Sequence, residues 1–221
     1  MKSEQQRTPP GRRGAWEEIW SNSRGPDFEF RLTGPTAVLP RFLERAELPQ
    51  GAALDIGCGD GAATRYLSQR FPLAIGLDFA VGAILRAAAM NNGTNASLLA
   101  ADITAAPFAP DTFSFAFDRG CFNVLPPEFR GAYFRSIEGV LRRSGFLLMV
   151  ARERKPTGLH PSSIRKRLEL RRRRGVWLWP SESEFRRMIP PSMELAEYTS
   201  DRQVTSRAIM VFHHVLIMRK P

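Results

Sequence analysis

Lysine is nearly missing. Four of the 32 basic residues are Lys (Lys2, Lys155, Lys166, Lys220) and 28 are Arg, a skew that with plentiful Ala, Gly and Pro accompanies GC-rich coding rather than a function. Cysteine is scarce too. Cys58 and Cys121 make no disulfide framework, and without a CxxC or Cys/His cluster no metal site is expected. A reducing, cytoplasmic setting is the matching expectation. No run of eighteen apolar residues occurs, so no membrane-spanning helix is expected. The opening MKSEQQRTPPGRRG lacks the apolar centre of a signal peptide, and residues 1–14 are expected to be a disordered lead-in. Excess charge is missing from most of the chain. The net charge is +10, and residues 152–174 hold ten Lys or Arg against Glu153 and Glu169, so that segment carries +8 of it.

What is present is alternation. AALDI (52–56) is a short apolar run that reads as a buried parallel strand, and AATRYLSQR (62–70) as the helix after it. LAIGLD (73–78), SLLAAD (97–102) and FSFAFD (113–118) read as further strands, each closed by an aspartate, with an Ala-rich helix over 80–90. A helix is expected from Pro127 to Arg142, broken by Ser144-Gly145 before a fifth strand, FLLMVA (146–151). Ser181 and Glu184 fit a capping box opening a helix to about Met188. MELAEYT (193–199) and AIMVFHHVLIM (208–218) follow with no helix between them, so they must pair antiparallel. The expected fold is α/β: a Rossmann-like, doubly wound sheet of seven strands, five parallel units plus a C-terminal antiparallel hairpin. One domain is expected over 15–221, with 15–45 as an N-terminal cover and 152–180 as a basic lid insertion.

LDIGCGDG (54–61) sits at the end of the first strand, where such sheets bind ligands. Gly57, Gly59 and Ala62 satisfy GxGxxA, which keeps a dinucleotide open. Asp78 lies 21 residues after Gly57, the spacing at which an acid accepts from ribose hydroxyls. Asp55 argues against a pyrophosphate: an anion just before the turn repels polyphosphate and pairs with an ammonium. The row Asp55, Asp78, Asp102, Asp118 suits a ligand with a cationic end and hydroxyls. Each residue also has a plainer reading. Asp102 can cap a turn before Thr104, Phe79 and Ile103 can be core, and Trp16 and Trp20 are spaced for helix packing.

These residues resemble motif I of the class I S-adenosylmethionine-dependent methyltransferases. WEEIW (16–20) and FDRGCFNVLPPEFRGAYF (117–134) resemble the thiopurine, thiol and tellurite methyltransferase group, with PDFEF standing for its Pro-Trp-Asp and RSGF for its Pro-Gly-Gly. The resemblance implies S-adenosyl-L-methionine as cofactor. It implies Gly57 and Gly59 near the methionine part with Asp55 by its amino group, and Asp78 on the ribose with Phe79 against the adenine. Asp102 and Ile103 would meet the adenine, Asp118 would lie at the methionine end, and Trp20 and Phe30 would close the site.

Displacement at a sulfonium needs alignment and exclusion of water more than acid–base help. Arg119 is a candidate to lower an acceptor thiol's pKa and to bind substrate, and His160 a candidate base. Arg152 and Trp177 are candidates to contact substrate. The expected reaction is methyl transfer to a small-molecule acceptor, anionic or thiol-bearing, with sulfur favoured by the resemblance, then oxygen or nitrogen of a secondary metabolite. Two alternatives stand beside it: an RNA-directed methyltransferase using the Arg-rich stretch, and a protein that binds the cofactor without transferring methyl.

Overall fold

A computed structural model describes residues 10–22, 37–156, 179–204 and 208–219. The expectations on Phe30, His160 and Trp177 lie outside the described residues, as does the side chain of Arg152. Five strands, β1 (Ala52–Ile56), β2 (Ala74–Asp78), β3 (Ala96–Ala100), β4 (Phe113–Arg119) and β5 (Leu141–Pro156), run parallel. β6 (Met193–Val204) and β7 (Ala208–Arg219) form the hairpin, and β7 pairs antiparallel with both β5 and β6. The sheet order is β3-β2-β1-β4-β5-β7-β6. Chain direction along the sheet reverses between β1 and β4, which opens a crevice beyond their carboxyl ends.

Every residue of β1 is buried, because helices cover both faces. On one face α2 (Val38–Leu43) and α3 (Ala62–Leu67) bring Leu39, Ala63 and Leu67 onto Phe115, Phe117 and Leu148. On the other, α6 (Pro127–Val140) and α7 (Glu182–Met188) bury Tyr133, Phe134, Ile137 and Phe185 with Phe122 and Trp179. Phe122 is the hub, 5.2 Å from the Tyr133 ring and 5.8 Å from Trp179, with the Arg130 guanidinium 4.8 Å above it. α7 opens with the expected capping box: Glu184 N–H donates to Ser181 Oγ at 3.4 Å and Ser181 N–H to Glu184 Oε2 at 2.7 Å.

Some boundaries differ from the sequence reading. The segment 1–14 is helical from Pro10, where α1 (Pro10–Asn22) begins. α6 ends at Val140, not Arg142, and the chain enters β5 directly: Leu141 pairs with Phe113, and the register then shifts so that Phe146 faces Phe115. The intervening bulge puts Ser144 at φ 57°. A Cβ on Gly145 would stand 2.9 Å from Arg142 O and 3.0 Å from Ser114 O, which is why that bend holds glycine. β5 also continues past Ala151 to Pro156, since β7 pairs with it that far. No helix among the described residues is long and apolar enough to cross a membrane.

Candidate active site

The loop after β1 turns sharply. Gly57, Gly59 and Gly61 have φ of 64°, 57° and 78°, a region glycine enters without strain. The packing is equally demanding. A Cβ on Gly57 would lie 2.7 Å from Cys121 Cβ, and one on Gly59 would lie 2.9 Å from the Trp20 indole. Trp20 is 5% exposed and packs on Ala80 and Ala83 of the segment opening α4 (Val81–Met90). The turn is thus sandwiched between α1 and the short helix α5 (Cys121–Val124).

The aspartates converge here, each held by its own partners. Asp55, at the end of β1, accepts the Thr64 hydroxyl of α3 at 2.6 Å. Burial pushes its pKa up to about 6; the Thr64 hydroxyl and the Arg119 guanidinium pull it down, and Asp78 pushes it up. Asp78 accepts Gly59 N–H at 3.1 Å and Ala80 N–H at 2.9 Å, so it ties the glycine turn to the start of α4. Burial raises its pKa to about 6 as well, against the pull of the Ala80, Gly59 and Phe79 amides. Asp102 accepts the Thr104 N–H at 2.9 Å and its hydroxyl at 2.8 Å, capping a one-turn 3₁₀ helix (Ile103–Ala105). Ile103 is buried in the main core and Phe79 is half-buried.

Asp118 differs most from expectation. It is 1% exposed, and both its oxygens are occupied by the protein. Oδ1 accepts Cys121 N–H at 2.9 Å, while Oδ2 accepts Phe122 N–H at 3.0 Å and the Tyr133 hydroxyl at 2.7 Å. It caps α5 in place of a side chain at Gly120. Burial lifts its pKa to about 7, moderated by those same donors. Cys121 is half-buried, and burial with the nearby Asp118 holds its thiol well above the ordinary range; Cys58 is raised likewise. Neither is a thiolate nucleophile.

Sequence reasoning brought together Asp55, Gly57, Gly59, Asp78 and Trp20. It missed Glu17, Thr64 and Tyr133, which hold the site from α1, α3 and α6. Of these only Thr64 carried a local signal, a hydroxyl in the first turn of the helix after the glycines.

Asp55, Asp78 and Asp118 are all raised by burial, Asp55 also by Asp78 and Asp118 also by Asp55, so their charged forms gain from a nearby cation. That suits a cationic ligand, and the left-handed glycines let backbone approach it. The seven-stranded sheet with its glycine turn is the fold of solved S-adenosylmethionine-dependent methyltransferases. Residues 53–145 match a family described as a methyltransferase domain.

Particular relatives narrow the comparison. The chain is 34% identical over 106 residues (47% of this chain, 46% of the relative) to a 2-heptyl-1-hydroxyquinolin-4(1H)-one methyltransferase of Mycobacteroides abscessus. It is 28% identical over 139 residues (61% of this chain, 60% of the relative) to a probable thiol methyltransferase of Arabidopsis thaliana. These matches span about half to three-fifths of those relatives' lengths. The crystal structure of an S-adenosylmethionine-dependent methyltransferase from Anabaena variabilis shares the fold, with a TM-score of 0.65, 22% identity and 97% coverage of both chains.

Proposed function

We propose that this protein transfers the methyl group of S-adenosylmethionine to a small-molecule acceptor, with sulfur the favoured atom. The observation that carries the reading is the glycine turn bounded by Asp55 and Asp78, whose pKa values burial lifts to about 6. When bound, the cofactor supplies an activated methyl on a sulfonium. The chain's own residues bind, orient and exclude water. Asp55, oriented by Thr64, offers a carboxylate to the amino group. Asp78 offers its carboxylate to ribose hydroxyls, with Phe79 and Ile103 as apolar walls and Asp102 an acceptor for the adenine amino group. Trp20 shields the glycine turn from water. Asp118 works at one remove, by fixing α5 against Gly57.

Arg119 ends β4, and its guanidinium is close enough to Asp55 to lower that acid's pKa. In this reading it lowers the pKa of an acceptor thiol and attracts anionic acceptors. The thiol methyltransferase relative supports sulfur. The relative named for a hydroxyquinolone makes a hydroxyl the second reading. Incubation with methyl-labelled S-adenosylmethionine and a panel of thiols, phenols and amines tests this: label is expected on thiols first. Cofactor binding with no label on any acceptor overturns it.

A further inference from the structure

We propose that Glu17 is a positioning residue, a latch that docks α1, and with it Trp20, onto the cofactor turn and so governs cofactor exchange. The proposal rests on the cofactor reading above and names what holds the cover in place. α4 begins without a cap of its own: the residue before it is Ala80, which has no side-chain acceptor for the orphan amides of a first turn. The acceptor comes from 64 residues earlier. Glu17 Oε2 accepts Val81 N–H at 2.7 Å and Oε1 accepts Gly82 N–H at 2.8 Å. A carboxylate bridging two amides at the positive end of a helix is a strong, charge-assisted contact.

The fit is specific at Gly82. A Cβ there would stand 3.0 Å from Ser21 Oγ and 3.1 Å from Glu17 Oε1, so glycine lets α1 approach this closely. Trp20 lies three residues after Glu17, on the same helix face, and reaches Gly59. One face of α1 therefore grips the start of α4 with Glu17 and covers the turn with Trp20. The same α4 start is bound to Asp78 through Ala80 N–H. Releasing Glu17 frees the indole and uncovers the turn.

The experiment compares the wild-type chain, Glu17→Ala, Glu17→Gln and, as a cap removed elsewhere, Ser181→Ala. Hydrogen exchange without cofactor reads docking, and stopped-flow dissociation of S-adenosylhomocysteine reads exchange. In Glu17→Ala the amides of α1, Val81 and Gly82 are expected to lose protection, and dissociation to quicken about tenfold. Glu17→Gln, which keeps one acceptor oxygen, should fall between, and Ser181→Ala should leave dissociation as in wild type. Unchanged exchange in Glu17→Ala, or lost protection with unchanged dissociation, overturns the latch. So does an equal acceleration in Ser181→Ala. A wild-type chain that binds no S-adenosylhomocysteine overturns the cofactor reading instead, and that failure is distinct because it appears before any substitution is made.

Discussion

Tyr133 donates its hydroxyl to Asp118 Oδ2 at 2.7 Å, joining α6 to the end of β4 inside the core. Asp118 in turn holds the first amides of α5, and α5 presses Cys121 onto Gly57. A hydroxyl 15 residues further along the chain thus supports the glycine turn. Tyr133→Phe keeps the ring and removes only the donor. It is expected to cost about 1–3 kcal/mol, the range for a hydrogen bond to a buried charged group. Urea unfolding checks this, and a loss near zero would show that Asp118 is neutral or re-paired.

Gly57→Ala places a methyl carbon on Cys121 and forces a left-handed backbone on alanine. The expected result is about 1–3 kcal/mol of lost stability with weaker cofactor binding. Cys121→Gly in the same chain removes the clash but not the backbone strain, and should restore part of both. Thermal melts and calorimetry on the single and double variants measure the two components.

Asp78→Asn preserves shape and one acceptor oxygen but removes the charge. Cofactor affinity should fall about tenfold or more, because hydrogen bonds to ionised groups exceed neutral ones. The melting temperature should fall as well, since the amide NH2 replaces one of the two oxygens that accept Gly59 N–H and Ala80 N–H. A titration in which Asp78→Asn binds like wild type would remove Asp78 from the ribose contact.

The acids predict an unusual pH response. Asp55 and Asp78 titrate near 6 and Asp118 near 7 in the folded chain, against 3.8 for a free carboxyl. Between about pH 4 and 7 the folded state therefore holds more protons than the unfolded state, so these groups make stability fall as pH rises through that window. Binding of a cation favours the ionised forms. S-adenosylmethionine affinity should tighten from about pH 5 to pH 8, with proton release seen when calorimetry is repeated in buffers of different ionisation heat. S-adenosylhomocysteine, lacking the sulfonium charge, should show a shallower slope.

The parallel strands were legible because strands buried on both faces must be apolar runs: AALDI and FSFAF announce themselves. The hairpin followed from two such runs with no helix between them, and the start of α7 from Ser181 and Glu184. What escaped was whatever depends on distant partners. The periodicity of α6 continues through Leu141, which is buried equally as the first residue of a strand, so nothing local marks the change. RERKP in β5 looks like a loop, and it is the pairing with β7 that makes it strand. α2 was hidden by Pro40 within its first turn. In the site, the aspartates stood out as strand-ending acids, but Asp118 belongs to α5 and Tyr133, and Glu17 caps a helix 64 residues away.

The most direct measurement is calorimetric titration of the purified chain with S-adenosylmethionine, S-adenosylhomocysteine and a nicotinamide dinucleotide. The account predicts one site that takes up both sulfur nucleosides and ignores the dinucleotide. Heat from the dinucleotide alone would contradict it.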